Sequence, residues 1–112
     1  MEALYLEEAE LFIDNMPDKA RKKLLYNISL VLGGVKDPKL LKKLDNSEIW
    51  EFRAEYQGTA YRLFSFWDTR SNALIVSTHG LNKKTQKTPK KEIEHAEKIR
   101  KEYFNTHHHD EI

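Results

Sequence analysis

Two arginines and a run of lysines are the residues of this chain best suited to chemistry. Gln57-Gly58 separates two alternating apolar segments, and its glycine supplies the positive φ of a tight hairpin. With a two-residue loop, Tyr56 pairs with Thr59, and counting outward sets Arg53 directly opposite Arg62. Both then point away from the face that carries Trp50 and Phe52. Like charges opposed on a sheet destabilise it, so this pairing asks for a cause. One reading is a solvated strand face, neutralised by Glu51 and Glu55 on the diagonals. The other is an anion site, because planar guanidinium forks match phosphate oxygens and a strand pair holds them rigidly.

The stretch "HGLNKKTQKTPKKEI", from His79 to Ile93, adds five lysines and no acid until Glu92. It reads as the end of a strand, a loop and the start of a helix. Lys83, Lys84 and Lys87 would emerge beside the Arg62 end of the sheet and complete one basic patch with the arginines. Lys90 and Lys91 fall in the first helical turn, where cations oppose the helix dipole at roughly a few tenths of a kcal/mol each. A nearby anion would offset that cost. The alternative for the whole run is a solvated loop.

The elements that must position these residues follow from periodicity. Leu6, Ala9, Phe12, Ile13 and Met16 have helical spacing, and Pro17 ends that helix. A second helix is predicted over Asp18 to Leu32, burying Ala20, Leu24, Leu25, Ile28, Val31 and Leu32, with Gly33-Gly34 as its stop. Leu40, Leu41 and Leu44 anchor a lysine-rich stretch, Asp37 to Asn46, that suits a short turn of helix. "IWEFRAEY", "AYRLFSFW" and "ALIVSTH" then read as three strands. Thr88-Pro89 opens a last helix, threonine as N-cap and proline at the first helical position, with Ile93, Ala96, Ile99, Tyr103 and Phe104 as its buried stripe. Met1 to Tyr5 can add a short edge strand. The sum is a single α+β domain over residues 1–112: an N-terminal helical hairpin on a small antiparallel meander, closed by a C-terminal helix. Residues 105–112 read as a flexible polar tail.

Composition bounds the function classes. The 112 residues carry a net charge of +1 at 33% charged residues, so overall charge names no partner. Its distribution is uneven: six acids and no base from Met1 to Asp18, against eight bases and four acids from Leu81 to Phe104. The absence of cysteine removes disulfides and thiolate zinc sites and fits a reducing cytoplasm. No apolar run suits a membrane span, and the acidic start does not resemble a signal peptide. His107, His108 and His109 lack the spacing of metal ligands and belong with the polar tail. No cofactor or metal is implied. Trp50, Trp67, Phe64 and Phe66 could stack on bases, but strand aromatics of this kind are more often core. His95, beside Glu94 on the last helix, reads as solvated.

"IWEFR", "YRLFSFWD", "THGLNKKTQKTPKKEI" and "HAEKIRKEYF" resemble the RelE/ParE toxin superfamily, and within it the phage-derived HigB-like branch of type II toxin–antitoxin systems. The resemblance runs from Leu6 to Phe104, and "KKTQKTP" is its most specific string. It implies a small toxin that cuts messenger RNA in the ribosome and is held inactive by an antitoxin, here expected to be a helix-turn-helix protein encoded next to it. The family's basic positions fall on Arg53, Arg62, Lys83 and Lys84; the basic patch adds Lys87, and at its margin Lys90 and Lys91, as further RNA contacts. In such a reaction a base takes the proton of the 2′-hydroxyl as it attacks the adjacent phosphate, cations stabilise the phosphorane, and the bond to the 5′-oxygen breaks as an acid protonates that leaving group. Arg53 and Arg62 would clamp the phosphate, and Lys83 or Lys84 would act as base or second cation. The chain departs from the family in lacking a tyrosine or histidine at an obvious general-acid position. Tyr61 and His79 are expected opposite each other, on the core side. Two alternatives stay open: a non-catalytic inhibitor of the ParE kind, associated with gyrase, and a decayed prophage protein that still folds.

Overall fold

The computed structural model describes residues 1–70, 74–83 and 87–109, the last three as backbone only. In chain order the elements are β1 (Glu2–Tyr5), α1 (Glu7–Asp14), α2 (Asp18–Leu32), β2 (Leu41–Lys43), β3 (Trp50–Tyr56), β4 (Thr59–Asp68), β5 (Leu74–Lys83) and α3 (Lys90–His109). The class is α+β as predicted. The five strands form one sheet in the order β1-β5-β4-β3-β2. Three of its pairings are antiparallel, and β1 adds to β5 in parallel.

Each helix ends where local chemistry requires. Glu7, Glu8 and Glu10 in the first turn of α1 favour the positive end of its dipole. Pro17 separates the two helices, and α2 buries Ala20, Leu24, Asn27, Ile28 and Val31 as a single stripe. At its end Val35 N–H donates to Leu30 O at 3.0 Å and Gly34 N–H to Val31 O at 2.9 Å. That double closure needs a left-handed residue, which Gly34 supplies at φ 105°. The Asp37–Leu41 stretch makes one capped turn, Leu41 N–H donating to Asp37 O at 3.1 Å, but the chain then leaves as strand β2 rather than as more helix. Helix α3 continues through His109, so residues 105–109 extend a helix, and residues 110–112 of the expected tail lie outside the described residues.

The sheet is covered on both sides, which the alternating pattern did not announce. Phe52, Ala54, Tyr61, Leu63 and Ile75 pack under α1 and α2. Phe64, Phe66 and Val76 pack on the other side against Ala96 and Tyr103 of α3, with Ile49 and Leu44 closing the layer. Central strand β4 is therefore buried almost without interruption from Ala60 to Phe66, as strands between two layers are. Trp50 and Trp67 meet edge to face, ring centres 6.3 Å apart, and are only half buried. Phe12 anchors α1 over Gly80, where an added Cβ would lie 2.2 Å from the ring.

Candidate functional site

The hairpin register is the expected one. Tyr56 pairs with Thr59, and Arg53 lies opposite Arg62. Gln57 and Gly58 both take positive φ, 48° and 79°, the backbone of a two-residue turn whose twist matches the strands. The consequence for exposure differs from either sequence reading. Arg62 is 0% exposed, so this face is not a solvated surface. Arg53 keeps its side chain partly open.

Glu51 is the hub of the site. Its Oε1 lies 3.5 Å from Nε of Arg53 and 3.5 Å from Nε of Arg62. Its Oε2 accepts a 2.9 Å hydrogen bond from the Thr88 hydroxyl, which in turn accepts from Lys83 Nζ at 3.0 Å. Thr88 thus links the end of β5 and the entry to α3 to strand β3; helix α3 begins at Lys90, so Pro89 precedes the first helical position rather than occupying it. Glu55 Oε1 stands 3.8 Å from Arg62 Nη2 and acts there by charge, beyond hydrogen-bond length. Arg62 Nη1 donates to Tyr61 O at 3.2 Å, and Arg53 Nη1 to Pro38 O at 3.2 Å. Nε of both arginines and Nη2 of Arg62 are buried without a hydrogen-bond acceptor among the described residues.

Burial lowers the Arg62 pKa from its usual value, and neighbouring Arg53 lowers it further, against the opposing pull of Glu51 and Glu55. Burial also lowers Lys83; Glu51 opposes that shift, and Arg62 and Arg53 add to it. The pocket thus makes both cations easier to deprotonate than in water, Lys83 being the one whose ordinary range lies nearer neutrality.

A cavity of about 450 Å³ opens beside the arginines at the edge of β3. Lys23 and Asn27 of α2, Lys39 and Leu40 of the preceding turn, and Arg53, Glu55 and Arg62 line it. Beyond Phe52, β3 has no strand partner on this side among the described residues, because β2 pairs with Trp50 to Phe52. Side chains take over the edge: Asn27 Nδ2 donates to Arg53 O at 2.9 Å, and Lys23 Nζ donates to Glu55 O. Arg53 N–H donates to Leu40 O at 2.9 Å.

Of the predicted residues, the fold brings Arg53, Arg62 and Lys83 together. Lys84 lies outside the described residues. Lys87, Lys90 and Lys91 are exposed. Lys90 lines another groove, with Asp45 and Asn46 and the Glu94 face of α3, so it does not share the arginine cavity. Lys23 and Lys39 were missed: solvent-side lysines on a helix and in a turn carry no signal that they converge on a strand edge. Glu51 was weighed only as a diagonal neutraliser.

The histidines also correct the sequence reading. Tyr61 pairs with Asn82, and His79 with Phe64, so Tyr61 and His79 are not opposite each other. A register shift next to Phe64 and Ser65 leaves Thr78 as the extra residue, its hydroxyl bonding Phe64 O at 3.3 Å. His79 faces α3, ring centre 4.6 Å from that of His95 and Nε2 3.6 Å from Glu92. His95 is not simply solvated, since its Nε2 lies 3.0 Å from Glu8 Oε1 and ties α3 to α1. The side chains of His107, His108 and His109 lie outside the described residues. No three acidic, histidine or cysteine side chains among the described residues cluster as metal ligands. No helix among them is long and apolar enough to cross a membrane.

No curated protein matches the chain. A family signature does, over residues 11–101, a span that includes the end of α1, all of α2, the arginine strands and α3 as far as Lys101. A match across most of the chain places the protein in the phage-derived protein Gp49-like family (DUF891).

Proposed function

We propose that this chain is the toxin of a type II toxin–antitoxin pair, of RelE/ParE and HigB-like kind, and that it cuts messenger RNA on the ribosome. One observation carries the reading. Arg62 is fully buried, faces Arg53 across the strand pair, and beside an open cavity leaves Nε and Nη2 without a hydrogen-bond acceptor among the described residues, with Glu51 and Glu55 only at ion-pair distance. A buried donor left unpaired costs about 1–3 kcal/mol, more when charged. An arginine kept only for structure would close its hydrogen bonds; one kept for a phosphate leaves them for the ligand.

In this reading Arg53 and Arg62 hold the non-bridging oxygens and take up the charge that builds on the phosphorane. Glu51 keeps both guanidiniums in place before substrate arrives. Lys83, with its pKa lowered by burial, is the group best able to exchange a proton with the reacting oxygens. Alignment of the 2′-hydroxyl is left to the ribosome, which accounts for a site with so few acid–base groups. The protein acts in the cytoplasm. Its antitoxin, a helix-turn-helix protein encoded beside it, covers the cationic cavity with carboxylates.

The test is induced expression with mapping of transcript 5′ ends. Parent protein gives arrested translation and new 5′ ends within open reading frames, and Arg53→Ala removes both. Growth arrest with intact transcripts would replace the nuclease with a non-catalytic inhibitor.

A further inference from the structure

The cavity beside α2 holds more positive charge than one phosphodiester can use. Lys23, Lys39, Arg53 and Arg62 line it, and the only carboxylate among its lining residues is Glu55. Glu51, behind the arginines, supplies a second negative charge. Four cations facing two carboxylates leave two positive charges over. No ion pair among the described residues engages Lys23 or Lys39, and the one hydrogen bond from the Lys23 ammonium, to Glu55 O, leaves two of its protons for a ligand. Both lysines are exposed, so they reach the cavity from solvent without the desolvation that Arg62 has already undergone.

We infer that this cavity is a second phosphate subsite: Lys23 and Lys39 take the phosphodiester next to the one held by Arg53 and Arg62. The inference rests on the proposed reaction with RNA and adds where the strand runs. A single-stranded nucleic acid would cross the paired arginines and continue over the β3 edge toward α2. It would not have to follow α3 toward Lys90, which lines a separate groove. The edge suits a strand that tracks by its backbone. Asn27 and Lys23 have already satisfied the outward carbonyls of Arg53 and Glu55, so the surface offered to a ligand is made of side chains, with cation heads outnumbering the single Glu55 carboxylate. A cavity of about 450 Å³ is within the size of small-ligand sites and has room for one nucleotide unit.

The measurement is binding of a single-stranded 2′-O-methyl oligonucleotide, which cannot be cut, across a salt series. Each phosphate engaged contributes about −0.7 to the log–log slope. Replacing Lys23 and Lys39 together with alanine should make the slope shallower by about 0.7 and leave the affinity for a dinucleotide with a single phosphodiester within twofold. Lys87→Ala with Lys90→Ala, which removes the same charge elsewhere, should change the slope by less. A Lys23/Lys39 variant with the parent slope, or one no different from the Lys87/Lys90 variant, overturns the subsite. If Arg53→Ala still weakens the oligonucleotide in that case, the proposed function survives it. Failure of the parent to bind the oligonucleotide at all overturns both.

Discussion

Arg62→Ala is the substitution most exposed to misreading, because two effects arrive together. Arg62 is 0% exposed and its partner Glu51 only 3%. Removing one member of a buried pair strands the other, at about 3–5 kcal/mol. Glu51 would keep Arg53 at 3.5 Å and the Thr88 hydroxyl at 2.9 Å, so the lower end applies, about 3 kcal/mol. A domain of this size has about 5–15 kcal/mol in all. With a urea slope of about 2 kcal/mol/M, the midpoint should fall by about 1.5 M while the protein stays folded in buffer. Lost toxicity in that variant alone would not separate chemistry from stability. Glu51→Gln with Arg62→Met does separate them: it removes both charges and keeps the volume, so its stability should return to within about 1 kcal/mol of the parent, a midpoint within about 0.5 M. That double variant should be stable and non-toxic. Urea unfolding followed by tryptophan fluorescence and growth after induction read the two effects independently. An Arg62→Ala midpoint equal to the parent's would refute the dry ion pair. A stable double variant that still arrests growth would refute the phosphate clamp.

Four further outcomes follow from the geometry. Gly80→Ala should cost about 1–3 kcal/mol by overpacking, since the new Cβ falls 2.2 Å from Phe12 Cδ2, and thermal melting with and without Phe12→Ala will show whether shrinking the ring recovers part of it. Asn27→Ala should cost about 1–2 kcal/mol and reduce RNA binding, because it frees the Arg53 carbonyl at the strand edge; unchanged binding would mean that α2 does not position Arg53. Tyr103→Phe removes the 2.8 Å hydrogen bond to Asp68 and should cost about 1–3 kcal/mol; Asp68 would still be held well below the usual carboxylate range by Arg70, the main cause of its shift. His79 is held below the ordinary histidine range by burial first and by His95 next, with Glu92 and Glu8 opposing. A depressed folded pKa means that the unfolded chain takes up the proton first, so the stability present above about pH 6.5 should fall as pH drops below it, and His79→Gln should flatten that fall between about pH 6.5 and 5 in urea titrations.

Local signals carried a large part of this structure. The apolar stripe of α2 and the proline before it gave Asp18–Leu32, the observed bounds. The two-residue turn gave the Arg53–Arg62 register, because a hairpin leaves nothing but the loop length to decide. What failed was non-local. Strand β4 runs on through Asp68, which pairs with Leu74, and Thr78 is an extra residue opposite the Phe64–Ser65 step; together these moved His79 away from Tyr61, and a count from the strand ends cannot see a bulge. The three-residue β2 is too short to show a period, and its capped turn mimics a helix start. The charged face of β3 looked solvated because alternation reports two different faces, not what covers them. The segment leading into α3 covers that face through Thr88, and no residue of β3 encodes it.

The carboxylate at the centre of the cationic site limits how that site can work. Arg53 and Arg62 face each other across adjacent strands, and without an anion between them the hairpin would be strained by their repulsion. Glu51 supplies that anion permanently, from the strand that also carries Arg53, and Thr88 fixes its second oxygen. The site is therefore organised before any ligand arrives, which in the proposed reaction would favour the transition state over tight ground-state binding. The same carboxylate repels a phosphate that approaches the arginines. A weak site of this kind must gain its affinity from outside the reacting centre, and on this surface the lysines at the β3 edge are placed to provide it.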